Sequence, residues 1–370
     1  MPTTKKHKPL RAATLSDVGR EAGVSAMAAS TVLNGARTSS RIASETRERI
    51  IKAAARLQYR PNAAARALAN RRMNTLGLAV VIESGELNPY FHEIFNGILE
   101  TAASHEQNTT VFTLHDWHRD VVRLPSFCDG RIDGMILVAP RMSSVEAAKV
   151  LPVHTPFVAI HSNEALPNVV NIETDEESGS FEMVRHLLAQ GHRRILHLTG
   201  DEGVVGTERR VRGYKHAHTA SHIRLDNTLI IPSGFSVLNG RNAMRGWLRQ
   251  HAGEVLPSAV FCANDGIAIG CMEALAEVGL RVPEDISVSG FDDTLAARTT
   301  VPQLTTVRQP LRAMGNRAVE VMLNCIKRQS DQSLPVLQSP IVYPVDLVPR
   351  SSVSAPPAVS RVVPAPRLMV

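Results

Sequence analysis

The sequence predicts a small, all-helical head followed by a larger α/β body of two lobes. Residues 1–72 carry 15 Lys/Arg against four Asp/Glu, a net charge of +11, whereas the remaining residues carry −5. Short helical patterns occupy the chain to about residue 60. From Thr75 onward, apolar strands alternate with amphipathic helices, which is typical of a parallel sheet. Because this alternation runs for about 275 residues, it exceeds one core and favours two lobes.

The head begins with a helix that Thr14 and Asp17 mark as a capping box. Gly23 is suited to the left-handed residue of a tight turn and ends this helix. A second helix, capped by Ser25, and a third, over about residues 44–57, follow. Two helices joined by a glycine turn and braced by a third are typical of a helix-turn-helix, whose second helix enters the major groove of DNA.

The strands of the body are short apolar runs, and helices lie between most of them. A helix from Phe91 carries an apolar stripe at helical spacing. The predicted strands lie near residues 76–82, 110–114, 134–138, 157–160, 195–198, 229–231, 259–262 and 286–289. Ligands of open parallel sheets bind beyond the carboxyl ends of the strands, so we expect a ligand site between the lobes.

Composition divides the chain further. Residues 1–13 form a basic arm that is expected to be disordered, residues 14–60 form the helix-turn-helix head, and residues 61–72 form a hinge or linker. Residues 73–350 form the two-lobed body. Residues 351–370 are rich in Pro, Ala and Val, and we interpret them as a flexible tail.

Composition also disfavours several classes of protein. No apolar run approaches the ~18 residues of a membrane-spanning helix, and the basic N-terminus lacks the apolar segment of a secretory signal. The four cysteines form no Cys-x-x-Cys pair, which fits a reducing cytoplasm. The 14 histidines show no metal-ligand spacing, and the motifs of hydrolases and nucleotide-binding loops are missing. We therefore expect a cytoplasmic binding protein without catalysis, cofactor or metal.

The motifs resemble a known family. The string TLSDVGREAGVSAMAASTVLNG, which begins at Thr14, resembles the DNA-binding segment of the lactose/galactose repressor (LacI/GalR) family. The likeness continues to about Arg350 through GHRRILHLTG, CANDGIAIGCMEALAEVGLRVPEDISVSGFDD and PQLTTVRQP. It implies two Rossmann-like lobes similar to periplasmic binding proteins, and a hinge helix before them. It also implies a homodimer that binds a double-stranded DNA operator and senses a small effector.

On the recognition helix, the resemblance places Ala26, Met27 and Thr31 at the main base-reading positions. None of them is a long donor such as Arg or Gln, which excludes bidentate reading of guanine or adenine by these residues. Ala26 and Met27 can touch thymine methyl groups, and Thr31 can add one hydrogen bond. Met27 could instead simply pack. The implied DNA contacts are Leu15, Ser16, Ser25, Ala26, Met27, Ser30, Thr31, Asn34, Ala65 and Leu68.

The linker resembles the hinge helix of the family. Pro61 is suited to the first turn of a helix, but eight or so residues are too few for a stable helix alone. DNA and a dimer partner could order it. Leu68 falls at the position that wedges into the minor groove, where two copies would kink the duplex, and Ala65 would allow close approach. As a lone leucine, Leu68 could instead be a packing residue.

Six residues of the body are candidate effector contacts. Tyr90 and Phe91 follow the first strand and could stack on a sugar or a base. Asn264 and Asp292 follow strands of the second lobe, and Arg210 matches the pocket arginine of the family. Arg, Asn and Asp can bind vicinal hydroxyls in pairs, which favours a carbohydrate. The full set is Tyr90, Phe91, Arg210, Phe235, Asn264 and Asp292.

Each of these interpretations has a structural alternative. Asn264 could serve only as the cap of the helix that follows it, and Asp292 could cap the next segment. Arg209 and Arg212, which flank Arg210 in the sequence, are interpreted as solvated.

The sequence favours a one-component transcription regulator, most often a repressor in this family. Closure of the body on an effector would change the ordering of the hinge helices on a pseudo-palindromic operator, which requires differential binding to two states. The alternative is a periplasmic-type solute-binding protein, which the body alone would allow but the basic head argues against. A sugar-acting enzyme is a third hypothesis, which the missing catalytic motifs disfavour.

Overall fold

A computed structural model describes residues 12–34, 42–60, 72–82 and 88–364 of the chain. The chain divides into two compact units between Asn74 and Thr75. The first contains the helical head and the second contains the α/β body, and each is described by itself. No helix in these ranges is long and apolar enough to cross a membrane.

The head contains three helices around one small core. They are α1 (Leu15–Ala22), α2 (Ala26–Asn34) and α3 (Ser44–Arg56). Each helix contributes one fully buried residue to this core, namely Val18, Ala29 and Ile50. The predicted helices are therefore present, and they pack on the apolar faces that their spacing indicates.

The start of the head is locally determined. The Thr14 hydroxyl accepts a hydrogen bond from the backbone N–H of Asp17 at 3.3 Å. The Asp17 carboxylate accepts the backbone N–H of Thr14 at 2.9 Å, which completes the capping box. Gly23 has a φ of 65° and ends α1, so the chain can turn directly into α2.

The first lobe of the body is built on a parallel sheet of six strands. They are β1 (Thr75–Val81), β2 (Asn108–Leu114), β3 (Gly134–Val138), β4 (Phe157–Ile160), β5 (Val170–Thr174) and β11 (Ile341–Tyr343). Their order across the sheet is β11-β5-β4-β3-β1-β2. The lobe also contains α4 (Pro89–Ser104), α5 (Trp117–Asp120), α6 (Leu124–Phe127), α7 (Ser144–Val150) and α13 (Leu311–Arg328). Helices α4 and α13 pack on each other and share one apolar core with the sheet.

The second lobe is built on a parallel sheet of four strands. They are β6 (Ile195–Thr199), β7 (Ile230–Pro232), β8 (Ala259–Cys262) and β9 (Ser287–Ser289), in the order β7-β6-β8-β9. Its helices are α8 (Glu176–Ala189), α9 (Val205–Ala220), α10 (Val237–Gln250), α11 (Asp265–Glu277) and α12 (Leu295–Thr299). Helices α8 and α9 pack together, as do α10 and α11, and the two pairs enclose the sheet.

The chain passes between the lobes three times. It crosses from β5 to α8, from β9 to α13, and from β11 to the short strand β12 (Asp346–Val348). On the second crossing, β10 (Thr306–Arg308) pairs with β12 in antiparallel fashion. Residues at these crossings therefore lie where the two lobes meet.

The eight predicted strands are present, but β5, β10, β11 and β12 are not among those predicted. Strand β5 has the sequence VNIET, and its polar residues are buried. The Asn171 side chain accepts the N–H of Ser162 at 3.1 Å and donates to Glu173 at 2.9 Å. Because these side chains satisfy one another, the strand is buried without being apolar, so no hydrophobic run marks it.

The interpretation of residues 351–370 as a flexible tail is wrong for residues 351–364. Ser352 and Val363 are buried in the second lobe. The Val363 N–H donates to the Glu254 carbonyl at 2.8 Å, and the Ser352 hydroxyl donates to the Val288 carbonyl at 2.6 Å. Composition alone suggested flexibility, but scattered apolar residues such as Val363 find a partner surface that exists only in the folded lobe.

The contact between α4 and α13 depends on glycine. A methyl group at Gly97 would overlap the backbone carbonyl of Arg312, and one at Gly315 would overlap the carbonyl of Ile94. We expect Gly97→Ala to lower the free energy of unfolding of the body by about 3 kcal/mol, because backbone cannot move aside as a side chain can. Urea unfolding of the full chain measures this loss.

Gly246 in α10 provides a matched control. A methyl group there would meet no atom within 4 Å. Gly246→Ala is therefore expected to stabilise the body by about 0.5–1 kcal/mol through helix propensity. Equal effects of the two substitutions would contradict the close approach of α4 and α13.

Candidate functional site

A cavity of about 510 Å³ lies between the two lobes of the body. It lies at the carboxyl ends of the strands, which is where ligands of open parallel sheets bind. Val81, Ala139 and His161 reach it from the first lobe. All six residues predicted as effector contacts line it: Tyr90, Phe91, Arg210, Phe235, Asn264 and Asp292. The fold therefore brings these residues to one site.

Two asparagines hold helix N-termini at the cavity wall. Asn88 caps α4 by accepting the N–H of Tyr90 at 3.1 Å, and Asn264 caps α11 by accepting the N–H of Ile267 at 2.8 Å. Both side-chain amides donate to one backbone carbonyl, that of Phe235, at 3.0 Å. Asn264 thus has the capping role that its alternative interpretation gave it, and it lines the cavity as well.

Arg210 is held rigidly in the cavity wall, with 5% of its surface exposed. Its guanidinium donates to Glu176 at 2.7 Å and to the backbone carbonyl of Ala263 at 2.5 Å. The same group lies over the Phe291 ring, 4.3 Å from its centroid. Within the described residues its Nε–H has no acceptor. These contacts hold the guanidinium in one orientation at the cavity wall, which lowers the entropic cost of binding a ligand there.

Arg209 also lines the cavity, which corrects its interpretation as a solvated residue. Its Nη2 lies 3.1 Å from a carboxylate oxygen of Glu173, and its Nη1 lies 3.7 Å from Glu176. Arg212 is exposed, as predicted, and pairs with Glu177 at 2.8 Å. The difference follows from position along the helix: Arg209 lies near the N-terminus of α9, where Val205 and Gly206 also line the cavity, whereas Arg212 lies almost one turn further from it.

A chain of hydrogen bonds joins the lobes along the cavity wall. The Tyr90 hydroxyl lies 2.5 Å from His161 Nδ1, and His161 Nε2 lies 3.1 Å from the Thr174 hydroxyl. The Thr174 hydroxyl donates to Gln309 at 2.5 Å, and Gln309 Nε2 donates to Asp292 at 2.7 Å. The Thr174 hydroxyl donates its hydrogen to Gln309, so it accepts a hydrogen bond from the Nε2–H of His161. With its hydrogen on Nε2, the His161 ring accepts a hydrogen bond from the Tyr90 hydroxyl at Nδ1. Every donor therefore points towards the Asp292 carboxyl group.

Burial changes the charge state of this chain. Desolvation lowers the pKa of His161 to about 4, so its ring is neutral at neutral pH. Burial raises the pKa of Asp292 to about 8, and the guanidinium of Arg210 offsets this only in part. Burial also raises the pKa of Tyr90 well above its ordinary value. Within the chain of hydrogen bonds, Asp292 is the group whose charge changes near neutral pH.

The residues that were not predicted include four that belong to the hydrogen-bond chain or to the pairing of Arg210: His161, Thr174, Glu176 and Gln309. His161 directly follows the predicted strand β4, so the strand-end argument used for Asn264 could have found it. Thr174 and Glu176 flank the end of β5, and Gln309 follows β10. Since neither of these strands carries a long apolar run, the sequence offered no strand end to examine.

The described part of the chain offers no metal site. No group of three His, Cys, Asp or Glu there could hold an ion, and the four cysteines are free.

The exposed face of α2 carries the residues predicted to read bases. Met27 is 76% exposed, which excludes the alternative that it packs in the head core. Ala26 is exposed beside it, whereas the Thr31 hydroxyl donates to the Met27 carbonyl at 3.0 Å. This bond uses the hydroxyl hydrogen of Thr31, which keeps a lone pair and a methyl group for DNA. Ser25 caps α2, because its hydroxyl accepts the N–H of Ala28 at 3.1 Å.

The other predicted DNA contacts differ in exposure, and three of them cannot be compared. Ser16 is exposed, Ser30 is half-buried, and Leu15 is half-buried against the head core. Ala65, Leu68 and the side chain of Asn34 lie outside the described residues.

Comparison with known proteins identifies the family. Residues 14–62 match the model of bacterial regulatory proteins, lacI family, and residues 184–353 match that of periplasmic binding protein-like domains. The chain is 31% identical over 329 residues to the ribose operon repressor of Haemophilus influenzae. The aligned region covers 89% of this chain and 96% of that protein. The chain belongs to the lacI family.

Solved structures of lacI-family proteins are similar to this chain over most of its length. The lac repressor dimer bound to operator and the anti-inducer ONPF is 28% identical with a TM-score of 0.79, covering 93% of this chain and 100% of that one. The transcriptional regulator CelR–cellobiose complex is 26% identical with a TM-score of 0.67, covering 92% and 99%. The family and the fold class predicted from the sequence are confirmed.

The protein is therefore a DNA-binding transcriptional regulator with an effector-binding body. The helix-turn-helix lies in the head, and the lobed body corresponds to the periplasmic-binding-protein-like part of the family. The solute-binding protein considered as an alternative does not fit a chain whose head matches this family. The ribose operon repressor is named as a repressor, not as an enzyme.

Proposed function

We propose that the chain is a cytoplasmic, non-enzymatic repressor that binds a pseudo-palindromic operator as a homodimer, and that a carbohydrate in the cavity changes its DNA affinity. One observation carries the effector part of this proposal. Arg210, Asn264 and Asp292 converge on a cavity that aromatic rings also line. Paired hydrogen-bonding groups beside aromatic faces suit the vicinal hydroxyls and apolar ring face of a sugar.

The names of two of the related proteins support a sugar. The relative from Haemophilus influenzae is a ribose operon repressor, and CelR was solved with cellobiose. For this chain, a cavity of about 510 Å³ falls within the usual range of ligand pockets, roughly 300–1,000 Å³.

The effector would act through the interface between the lobes. Asn88 of the first lobe donates to Phe235 of the second, and the chain from Tyr90 to Asp292 crosses the same interface. A ligand that binds one arrangement of the lobes more tightly shifts the population towards it. We propose that this shift is transmitted to the DNA heads through the hinge, with Ala65 and Leu68 in the minor groove as the resemblance implies.

The test is a binding assay with two components. Operator sequences are selected from random duplex DNA with the full chain, and fluorescence anisotropy then measures affinity for the selected duplex with and without neutral sugars. We expect at least one sugar to change operator affinity by about fivefold or more, which is a common size for allosteric coupling. Selection that yields no sequence preference would contradict the proposal, as would a chain that hydrolyses or oxidises these sugars.

Met27 provides a prediction for the reading helix. We expect Met27→Ala to lower affinity for the selected operator about tenfold, because an exposed thioether loses its apolar contact with thymine methyl groups. Affinity for unrelated DNA is expected to stay unchanged, since phosphate contacts supply it. Competition binding with specific and random duplexes measures both quantities.

Ile51 offers a matched control in the same head. It is 52% exposed on α3, outside the reading helix. Ile51→Ala should leave the ratio of specific to nonspecific affinity unchanged. A similar loss in both variants would mean that Met27 acts through stability of the head and not through base contact.

A further inference from the structure

The three arginines that line the cavity are already bound to carboxylates. Arg210 pairs with Glu176 at 2.7 Å, and Arg209 pairs with Glu173 at 3.1 Å. The third, Arg141, pairs with Asp201 of the other lobe at 2.7 Å. A ligand in this cavity therefore meets guanidinium donors whose positive charge is neutralised.

Carboxylates outnumber arginines around the cavity. Asp116 also lines it and caps α5, with no guanidinium in hydrogen-bond contact among the described residues. Asp292 lies 4.0 Å from Arg210, and because burial raises its pKa to about 8, it adds a further negative charge only above neutral pH. The local field therefore opposes a negatively charged ligand.

Glu176 is central to this balance. Its side chain is 3% exposed, its Oε1 accepts from Arg210, and its Oε2 lies 3.7 Å from Arg209. One carboxylate thus contacts two of the three cavity arginines. Without it, Arg210 would be a buried guanidinium beside a ligand site, an arrangement that suits phosphate or carboxylate groups.

We infer that Glu176 sets the charge class of the effector: by neutralising Arg210, it makes the cavity accept uncharged polyols and exclude anionic sugars. The inference rests on the proposed carbohydrate effector and adds the charge of that ligand. Phosphate esters and sugar acids are the excluded compounds, since each would place a second anion next to a buried carboxylate.

The experiment compares matched neutral and anionic probes. Calorimetry and thermal shift with the full chain measure binding of ribose, glucose and cellobiose against ribose 5-phosphate, glucose 6-phosphate and gluconate. For the natural chain, we expect the anionic form of any bound sugar to bind about 100-fold more weakly. In Glu176→Gln, which keeps the side-chain volume but frees the charge of Arg210, we expect this ratio to fall at least tenfold, and inorganic phosphate to raise the melting temperature.

Glu177→Gln is the matched control. Glu177 neighbours Glu176 but pairs with the exposed Arg212, and it does not line the cavity. Its substitution should leave the ratio of neutral to anionic affinity unchanged. Should Glu176→Gln be too unstable to assay, Glu173→Gln, which frees the cavity residue Arg209, is expected to lower the same ratio.

The outcomes separate two kinds of failure. An anionic sugar that binds the natural chain as tightly as its neutral form overturns the role of Glu176 but leaves a carbohydrate effector in place. An unchanged ratio in both Glu176→Gln and Glu173→Gln overturns it as well. If no neutral or charged sugar binds the folded chain, the proposed carbohydrate effector fails, and this inference fails with it.

Discussion

Replacing Arg210 by alanine is expected to lower the free energy of unfolding of the body by about 3–5 kcal/mol and to abolish the response to the effector. The guanidinium is buried, and it donates to Glu176 at 2.7 Å and to the Ala263 carbonyl at 2.5 Å. Its removal leaves the buried Glu176 carboxylate with Arg209 at 3.7 Å as its remaining cation. Urea unfolding and effector titration of the full chain measure the two losses.

Arg212 is the control for this substitution. It lies two residues further along α9, its side chain is 51% exposed, and it pairs with Glu177 on the surface. Because exposed ion pairs contribute little, Arg212→Ala should change stability by no more than about 0.5 kcal/mol. It should also leave effector binding intact. Comparable losses in both variants would contradict a special role for the buried pair.

A double variant separates folding from binding. Arg210→Met combined with Glu176→Gln removes both buried charges, so neither is left unpaired. We expect it to recover most of the stability that Arg210→Ala loses, since replacing a buried ion pair is far less costly than breaking it. Effector binding should remain absent. A double variant that binds the sugar normally would show that Arg210 is a structural residue and not an effector ligand.

The affinity for a neutral sugar is expected to rise about tenfold between pH 7 and pH 9. Burial raises the pKa of Asp292 to about 8, so most copies are protonated at pH 7 and most are ionised at pH 9. Sugar hydroxyls donate most strongly to the ionised carboxylate, and the proton must leave before they can do so. Calorimetry across this pH range measures the affinity and, in buffers of different ionisation enthalpy, the released proton.

The groups around Asp292 do not titrate in this window. Burial lowers the pKa of His161 to about 4 and raises that of Asp265 to about 6. Burial would also raise the pKa of Glu176, but the nearby Arg210 guanidinium outweighs it and holds that pKa below its ordinary value. Tyr90 titrates well above its ordinary pKa.

Asp292→Asn is the control for the pH prediction. Its amide keeps the shape of the carboxyl group, and asparagine tolerates the positive φ of 115° at this position better than alanine does. We expect this variant to bind the sugar weakly and with no change between pH 7 and pH 9. A tenfold rise that persists in Asp292→Asn would assign the titration to another group.

Much of the site could be predicted from strand ends. Asn264 follows the predicted strand β8, Asp292 follows the predicted strand β9, and Tyr90 comes after the predicted strand β1. Local patterns were therefore enough to nominate these residues. Arg210 depended on the family resemblance, because three arginines lie within residues 209–212 and no periodicity singles one out. His161 was open to the same strand-end argument as Asn264.

Other parts of the site were beyond sequence patterns. Thr174 and Glu176 depend on β5, whose burial rests on side-chain hydrogen bonds of Asn171 and not on apolar periodicity. Gln309 meets Thr174 from 135 residues away. Such pairs form only when sheet order and chain crossings bring distant segments together.

The sequence by itself determined the helices of the head, the predicted strands of the body and the division of charge between them. Capping, glycine turns and apolar periodicity act over a few residues, so they are legible in one chain. Only the tertiary structure decided that Glu176 neutralises Arg210, that one hydrogen-bond chain joins the lobes, and that residues 351–364 pack on the second lobe. The energies of these contacts depend on burial and on partners far apart in sequence, which exist only once the sheets have assembled.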